Sequence, residues 1–148
     1  MARFIFPMQN LLTMKEKLED QEKNNYSRAN MVLQEAREEL ERLVDRQTRA
    51  EDRLRLQIAQ EMDVLTIRRM EDDIEIIKTY VMQQKLVVAQ REKELHEIRI
   101  RLAQAMKERK TFEKLRERAY LEFIEEENRK EQKEVDEMIS YRYGNGQF

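Results

Sequence analysis

The side chains best suited to chemistry in this chain are few and poorly placed for it. His96 is the single histidine and follows Leu95, with no Ser or Cys nucleophile at a helical neighbour. It reads as a solvated surface residue rather than a general base. Asp72 and Asp73 are adjacent, and neighbouring residues on a helix point about 100° apart. A shared metal is therefore a poorer reading than a charge effect near a helix start. Cys is absent, which removes disulfides and thiolate metal sites and fits a reducing compartment. The two glycines, Gly144 and Gly146, both lie in the tail and cannot build a phosphate-cradling loop. The nine methionines are scattered, so gap filling competes with a Met-rich partner surface. No catalytic residue, metal or cofactor is expected, and the chain reads as a non-enzyme that works by binding.

The elements that would present a binding surface are plain. Hydrophobic residues make up 40% and charged residues 41% of the 148, and about half the chain is Ala, Glu, Leu, Lys or Arg, the composition of a long helix or coiled coil. Between Pro7 and Gly144 there is no Gly or Pro, so nothing inside that span is a strong helix breaker. Ile74, Ile77, Val81, Gln84, Val88, Arg91, Leu95, Ile98, Leu102, Ala105, Arg109 and Phe112 form an unbroken ladder of alternating three- and four-residue steps. That period makes a narrow coiled-coil seam, which needs a partner helix.

The partner is expected upstream in the same chain. Ala29, Leu33, Ala36, Leu40, Leu43, Gln47, Ala50 and Leu54 repeat the ladder. Met8, Leu11, Met14 and Leu18 suggest an earlier stretch whose phase slips near Glu22. The pattern is lost through Leu56, Ile58, Met62, Val64, Leu65 and Ile67, and Asp63 is a good N-cap residue. A reversal within Ala59 to Arg68 folds Leu33 beside Leu95, Leu40 beside Val88, Ala29 beside Ile98, Ala36 beside Arg91 and Ala50 beside Ile77. Polar seam residues such as Gln84, Arg91 and Arg109 lower stability but fix register.

The fold expected is all-α: a single-domain, long antiparallel two-helix coiled-coil hairpin with a protruding C-terminal helix end. Helix one spans about 8–60, the reversal about 59–68, helix two about 68–142, and a frayed tail 144–148. From about Ile124 helix two has nothing opposite it and is almost wholly polar. It is either a solvated helix held by pairs such as Glu125/Arg129 and Glu126/Lys130, or a rod presented to a partner. At the other end Phe4, Ile5, Phe6 and Pro7 form either a hydrophobic lid or a small docking knob.

Charge excludes other classes. The net charge is −2 with both signs interspersed, so there is no polybasic footprint for nucleic acid or an acidic membrane. The N-terminus is not a signal peptide and no window reaches the length of a membrane span. A soluble cytoplasmic protein is expected.

Three stretches resemble a known family. The opening Phe4-x-Phe6-x-Met8-Gln9-x-Leu11-Leu12-x-Met14-Lys15-Glu16-Lys17-Leu18-Glu19-Asp20 resembles the start of the bacterial flagellar export protein FliJ family. Glu108-Arg109-Lys110-x-x-Glu113-Lys114-Leu115-Arg116-Glu117 and Glu127-Asn128-Arg129-x-x-Gln132-Lys133-x-x-Asp136-Glu137 resemble its C-terminal signature. The resemblance implies a stalk-like coiled coil of the type III export apparatus, for flagellum assembly and so motility and chemotaxis. It implies that the chain engages and regulates the hexameric export ATPase FliI, contacts the export gate protein FlhA and serves export chaperones. The location implied is cytoplasmic, peripheral to the inner membrane at the flagellar base, as a monomeric hairpin. The ATPase-facing candidates are Phe4, Phe6, Gln9, Leu11, Arg129, Gln132, Lys133 and Asp136. The gate-facing candidates are Ile77, Tyr80 and Gln84. Two alternatives stand: a scaffolding parallel coiled-coil homodimer, and the equivalent stalk protein of a virulence injectisome.

Overall fold

The computed structural model describes residues 2–61 and 63–144, and among these the chain is all-α, without strands. Helix α1 spans Gln9–Ala59 and helix α2 spans Val64–Gly144. Their lengths follow from the missing breakers: α1 begins two residues after the single proline, where Phe6 accepts a 3.1 Å bond from the Gln9 amide. The chain divides into two compact units, Met1–Asp20 with Ala103–Phe148, and Gln21–Leu102.

The unit Gln21–Leu102 is a helical hairpin. Ala50, Ile74, Ile77 and Val81 form its core cluster, with Leu40, Leu43 and Leu54 packed against it. Each fully buried Ile or Val contributes about 1.5–3 kcal/mol, so this apolar run, with the buried Leu33 and Leu95 further along the seam, is its main source of stability. Ala50 shares the cluster with Ile77, the small-against-large match expected from the ladder. Polar seam residues find partners: Gln84 Nε2 donates to the Ala36 carbonyl at 3.0 Å, and Arg91 Nη1 turns to Glu94 on its own helix at 3.0 and 3.1 Å. Hydrogen bonds from Arg91 first, and then Gln90, hold the Glu94 carboxyl below the usual carboxylate range.

The reversal does without glycine. Glu61 takes the left-handed backbone conformation, φ 53°, and its amide bonds the Ile58 carbonyl at 3.1 Å, one of the two bonds of a Schellman helix end. Asp63 caps α2, its Oδ1 accepting from the Leu65 amide at 3.4 Å and its carbonyl from the Ile67 amide at 3.1 Å. This cap starts α2 at Val64. The tail expected over 144–148 lies, beyond Gly144, outside the described residues.

In the other unit α1 again runs antiparallel to α2. Pairings move from Phe4 with Phe123, through Gln9 with Arg116, to Glu19 with Arg109. Here the structure corrects the sequence reading of phase. Leu12 is 3% and Glu19 4% exposed, whereas Leu11, Met14 and Leu18 are 43%, 53% and 41% exposed. The α1 seam therefore runs Met8, Leu12, Lys15, Glu19, Glu22, Tyr26, and no slip occurs near Glu22. Apolar residues mark the wrong stripe because the seam there is filled by charged ones, and their helix-crossing partners supply what burial would otherwise lack.

Candidate interaction surfaces

The N-terminal segment lies on α2. The Phe4 ring meets Tyr120 edge-on at 5.3 Å and Phe123 at 5.5 Å, and the Arg116 guanidinium sits 5.6 Å from its centroid. Each aromatic pair adds about 0.5–1.5 kcal/mol beyond burial. Phe6 is buried. Gln9 accepts from Arg116 Nε at 3.0 Å and donates to Thr13 at 3.3 Å. Phe4, Phe6 and Gln9 are thus brought together to strap the chain's start to α2, while Leu11 stands exposed on the outer side.

Behind the strap, charge replaces apolar seam. Lys15 donates to Glu108 at 3.0 Å, and this bond first, with that from Gln104, holds the Glu108 carboxyl below its ordinary range. Arg109 bonds the buried Glu19 and, at 2.8 Å, Glu113. The Glu19 bond is the larger cause, and the two together raise the already high Arg109 pKa, so the guanidinium stays charged throughout the accessible pH range. In the hairpin unit the next seam carboxylate, Glu22, lies 3.7 Å from Arg101, an ion pair longer than a good hydrogen bond. Apolar periodicity marks none of Lys15, Glu19 or Glu22 as a seam residue. The signal is present all the same: stepping back from Leu33 through Ala29 and Tyr26 by threes and fours lands on Glu22, Glu19, Lys15 and Leu12.

The C-terminal candidates sit on a free helix. Every residue from 128 to 144 is exposed although α2 continues through them. Arg129 reaches Glu125 at 3.9 Å and Glu126 at 3.8 Å, Lys130 pairs with Glu127 at 3.9 Å, and Gln132 donates to Asp136 at 3.1 Å. Exposed pairs of this length are worth about 0–1 kcal/mol each. Lys133 is exposed as well, and Val135, Met138 and Ile139 are exposed on one stripe, at i, i+3 and i+4. This is the spacing of a helix face that normally packs.

The three mid-chain candidates part company. Ile77 is buried in the hairpin core and Gln84 is bonded to α1, whereas Tyr80 is exposed. With Met82, Leu86 and Val87, also exposed, it lies in the stretch Thr79–Gln90, where Lys85 is the only charged residue, and the exposed Ile76 precedes that stretch. No group of His, Cys, Asp or Glu suited to a metal occurs among the described residues, and none of their helices is long and apolar enough to cross a membrane.

No curated protein matches the sequence. Among solved structures, the chain resembles that of CT670 from Chlamydia trachomatis, assigned as a putative YscO homolog. The TM-score is 0.61 at 20% identity, over 100% of each chain, a likeness of fold. The family model of the flagellar FliJ protein matches residues 4–148. With the strapped start, the antiparallel helix pair and the match over nearly its whole length, the chain belongs to the flagellar FliJ family, a component of the flagellar type III export machinery.

Proposed function

We propose that this chain is a non-enzymatic stalk that engages and regulates the hexameric export ATPase FliI through its terminal end and couples it to the gate protein FlhA and to export chaperones. The observation that carries this reading is the exposed end of α2. Residues 128–144 stay helical and exposed, with no helix against them among the described residues, and Val135, Met138 and Ile139 offer solvent a stripe of packing residues. A partner that surrounds or flanks this end would bury that stripe and meet Arg129, Gln132, Lys133 and Asp136 around it. Phe4, Phe6 and Gln9 then act by bracing the base of the rod, and Leu11 adds an exposed apolar contact. On the gate side the accessible contact is Tyr80 with its uncharged surroundings, and Ile77 and Gln84 support it from within the hairpin. The protein would work in the cytoplasm, peripheral to the membrane at the flagellar base, as a monomer when alone.

Two observations weigh against the alternatives. A parallel homodimer would need the seam that the intramolecular antiparallel pairing occupies, and the family model that matches is that of the flagellar FliJ protein, while the likeness to a putative YscO homolog is one of fold and does not separate the two export systems. The test is the hydrolysis rate of the cognate flagellar ATPase with the full chain and with a version ending at Glu126. Because residues 128–144 are all exposed, the shortened chain should keep its paired helices. Stimulation by the full chain and its loss on shortening is the expected result; equal effects of both chains would remove the role assigned to the exposed end.

A further inference from the structure

The side of α2 turned away from α1 carries a second heptad stripe near its middle. Leu86, Ala89, Lys93, His96, Ile100 and Ala103 recur in steps of three, four, three, four and three along one continuous helix. All six are exposed, Leu86 and Ile100 by 67% and 56%, whereas Leu95, on the α1 side, is buried. A stripe of this period packs on a partner helix, and α1 is engaged on the opposite side.

The step pattern reads the same in both directions, and that property points to the partner. We propose that the stripe is a self-pairing surface, on which a second copy of this chain packs with its α2 running antiparallel. A two-fold axis between Lys93 and His96 sets Leu86 against the partner's Ala103, Ala89 against the partner's Ile100 and Lys93 against the partner's His96. Large side chains then meet small ones in the outer layers, as Ala50 meets Ile74 and Ile77 in the hairpin core. The charges match as well. Glu92 comes level with the partner's Arg99 and Lys93 with the partner's Glu97, each twice by symmetry. In the single chain Glu92 reaches the exposed Arg37 at 3.3 Å and Arg99 reaches the Tyr26 hydroxyl at 3.4 Å, so both lie at the surface. A parallel, in-register pair would instead set Lys93 on Lys93 and Glu97 on Glu97, and such like-charge contacts select the antiparallel arrangement.

The stripe is about 25 Å long at 1.5 Å per residue and has polar layers at its centre. A contact this short is weak, so the chain is a monomer when dilute and pairs where copies are concentrated. The surface shares Leu86 with the surroundings of Tyr80 and nothing with the exposed end of α2, and its assignment rests on neither the gate nor the ATPase reading.

The experiment is sedimentation velocity of the full chain over a concentration series, with circular dichroism as the control for folding. A monomer–dimer equilibrium is expected, weakened at least tenfold by Ile100→Asp, which changes an exposed side chain and should leave the melting temperature unaltered. Lys93→Glu and Glu97→Lys should each weaken pairing alone, and an equimolar mixture of the two variants should pair again, since each copy then meets the opposite charge. Orientation is read by disulfide formation, which is clean in a chain without cysteine: Leu86→Cys should link to Ala103→Cys in a mixture and not to itself. A dimer that Ile100→Asp leaves intact, a charge-swapped mixture that does not pair, or Leu86→Cys linking to itself overturns the surface. A chain that stays monomeric at every concentration overturns it too, and leaves the stripe to a helix of another protein.

Discussion

The hairpin unit and the unit containing both termini are built on the same heptad geometry and hold together by different means. In the hairpin, Ala50, Ile74, Ile77 and Val81 close an apolar cluster. In the terminal unit the corresponding α1 positions carry Lys15 and Glu19, met by Glu108 and Arg109, with the Phe4 aromatic strap beyond them. Apolar layers stabilise most and discriminate least, since one aliphatic layer resembles the next. Charged layers contribute less net stability but penalise any slip, because a displaced register leaves a carboxylate or guanidinium unpaired. The contrast is a division of labour: the unit near the reversal supplies cohesion, and the unit with the termini supplies alignment for its own exposed helix end.

The largest effect should come from the apolar unit. Ile77→Ala removes buried volume at the centre of the cluster and should cost about 2–5 kcal/mol, read as a lowered midpoint in urea unfolding followed by circular dichroism. A loss within experimental error would mean that the cluster is not the source of cohesion. The charged layer should show a smaller effect and a distinctive sign pattern. Glu19→Ala leaves Arg109 with only Glu113 and should lower the melting temperature, whereas Glu19→Leu with Arg109→Leu should restore or raise it. If the double variant melts below the single one, the pair is a stabilising element rather than an aligning one. Smallest of all, Leu18→Ser should change stability by no more than about 0.5 kcal/mol, because the side chain faces solvent. A loss of several kcal/mol there would put Leu18 back on the seam and undo the phase on which the comparison rests.

Much of this is legible in the sequence because heptad periodicity, missing breakers and an N-cap Asp are local signals. The α2 ladder from Ile74 to Phe112 and the reversal at Asp63 follow from them directly. The first turns of α1 mislead because Leu11, Met14 and Leu18 imitate a seam, and apolarity is a poor guide where the true seam is paired charge. The glycine-free reversal at Glu61 is equally hidden, since a left-handed Glu carries no sequence mark. For the candidate sites, spacing places residues on faces but not in environments. Tyr80 and Ile77 stand three residues apart; the ladder puts Ile77 on the seam and Tyr80 off it, and the packing of α1 makes one core and leaves the other exposed.

The central claim is that the free end of α2, rather than the hairpin near the reversal, meets the ATPase. Photo-crosslinking tests it most directly, with benzoylphenylalanine placed at Val135 or at Tyr80 in the full chain and mixed with the cognate export ATPase. Both positions are exposed, so neither substitution should disturb the fold. The account predicts a crosslink to the ATPase from position 135 and none from position 80; crosslinking from 80 alone would contradict it.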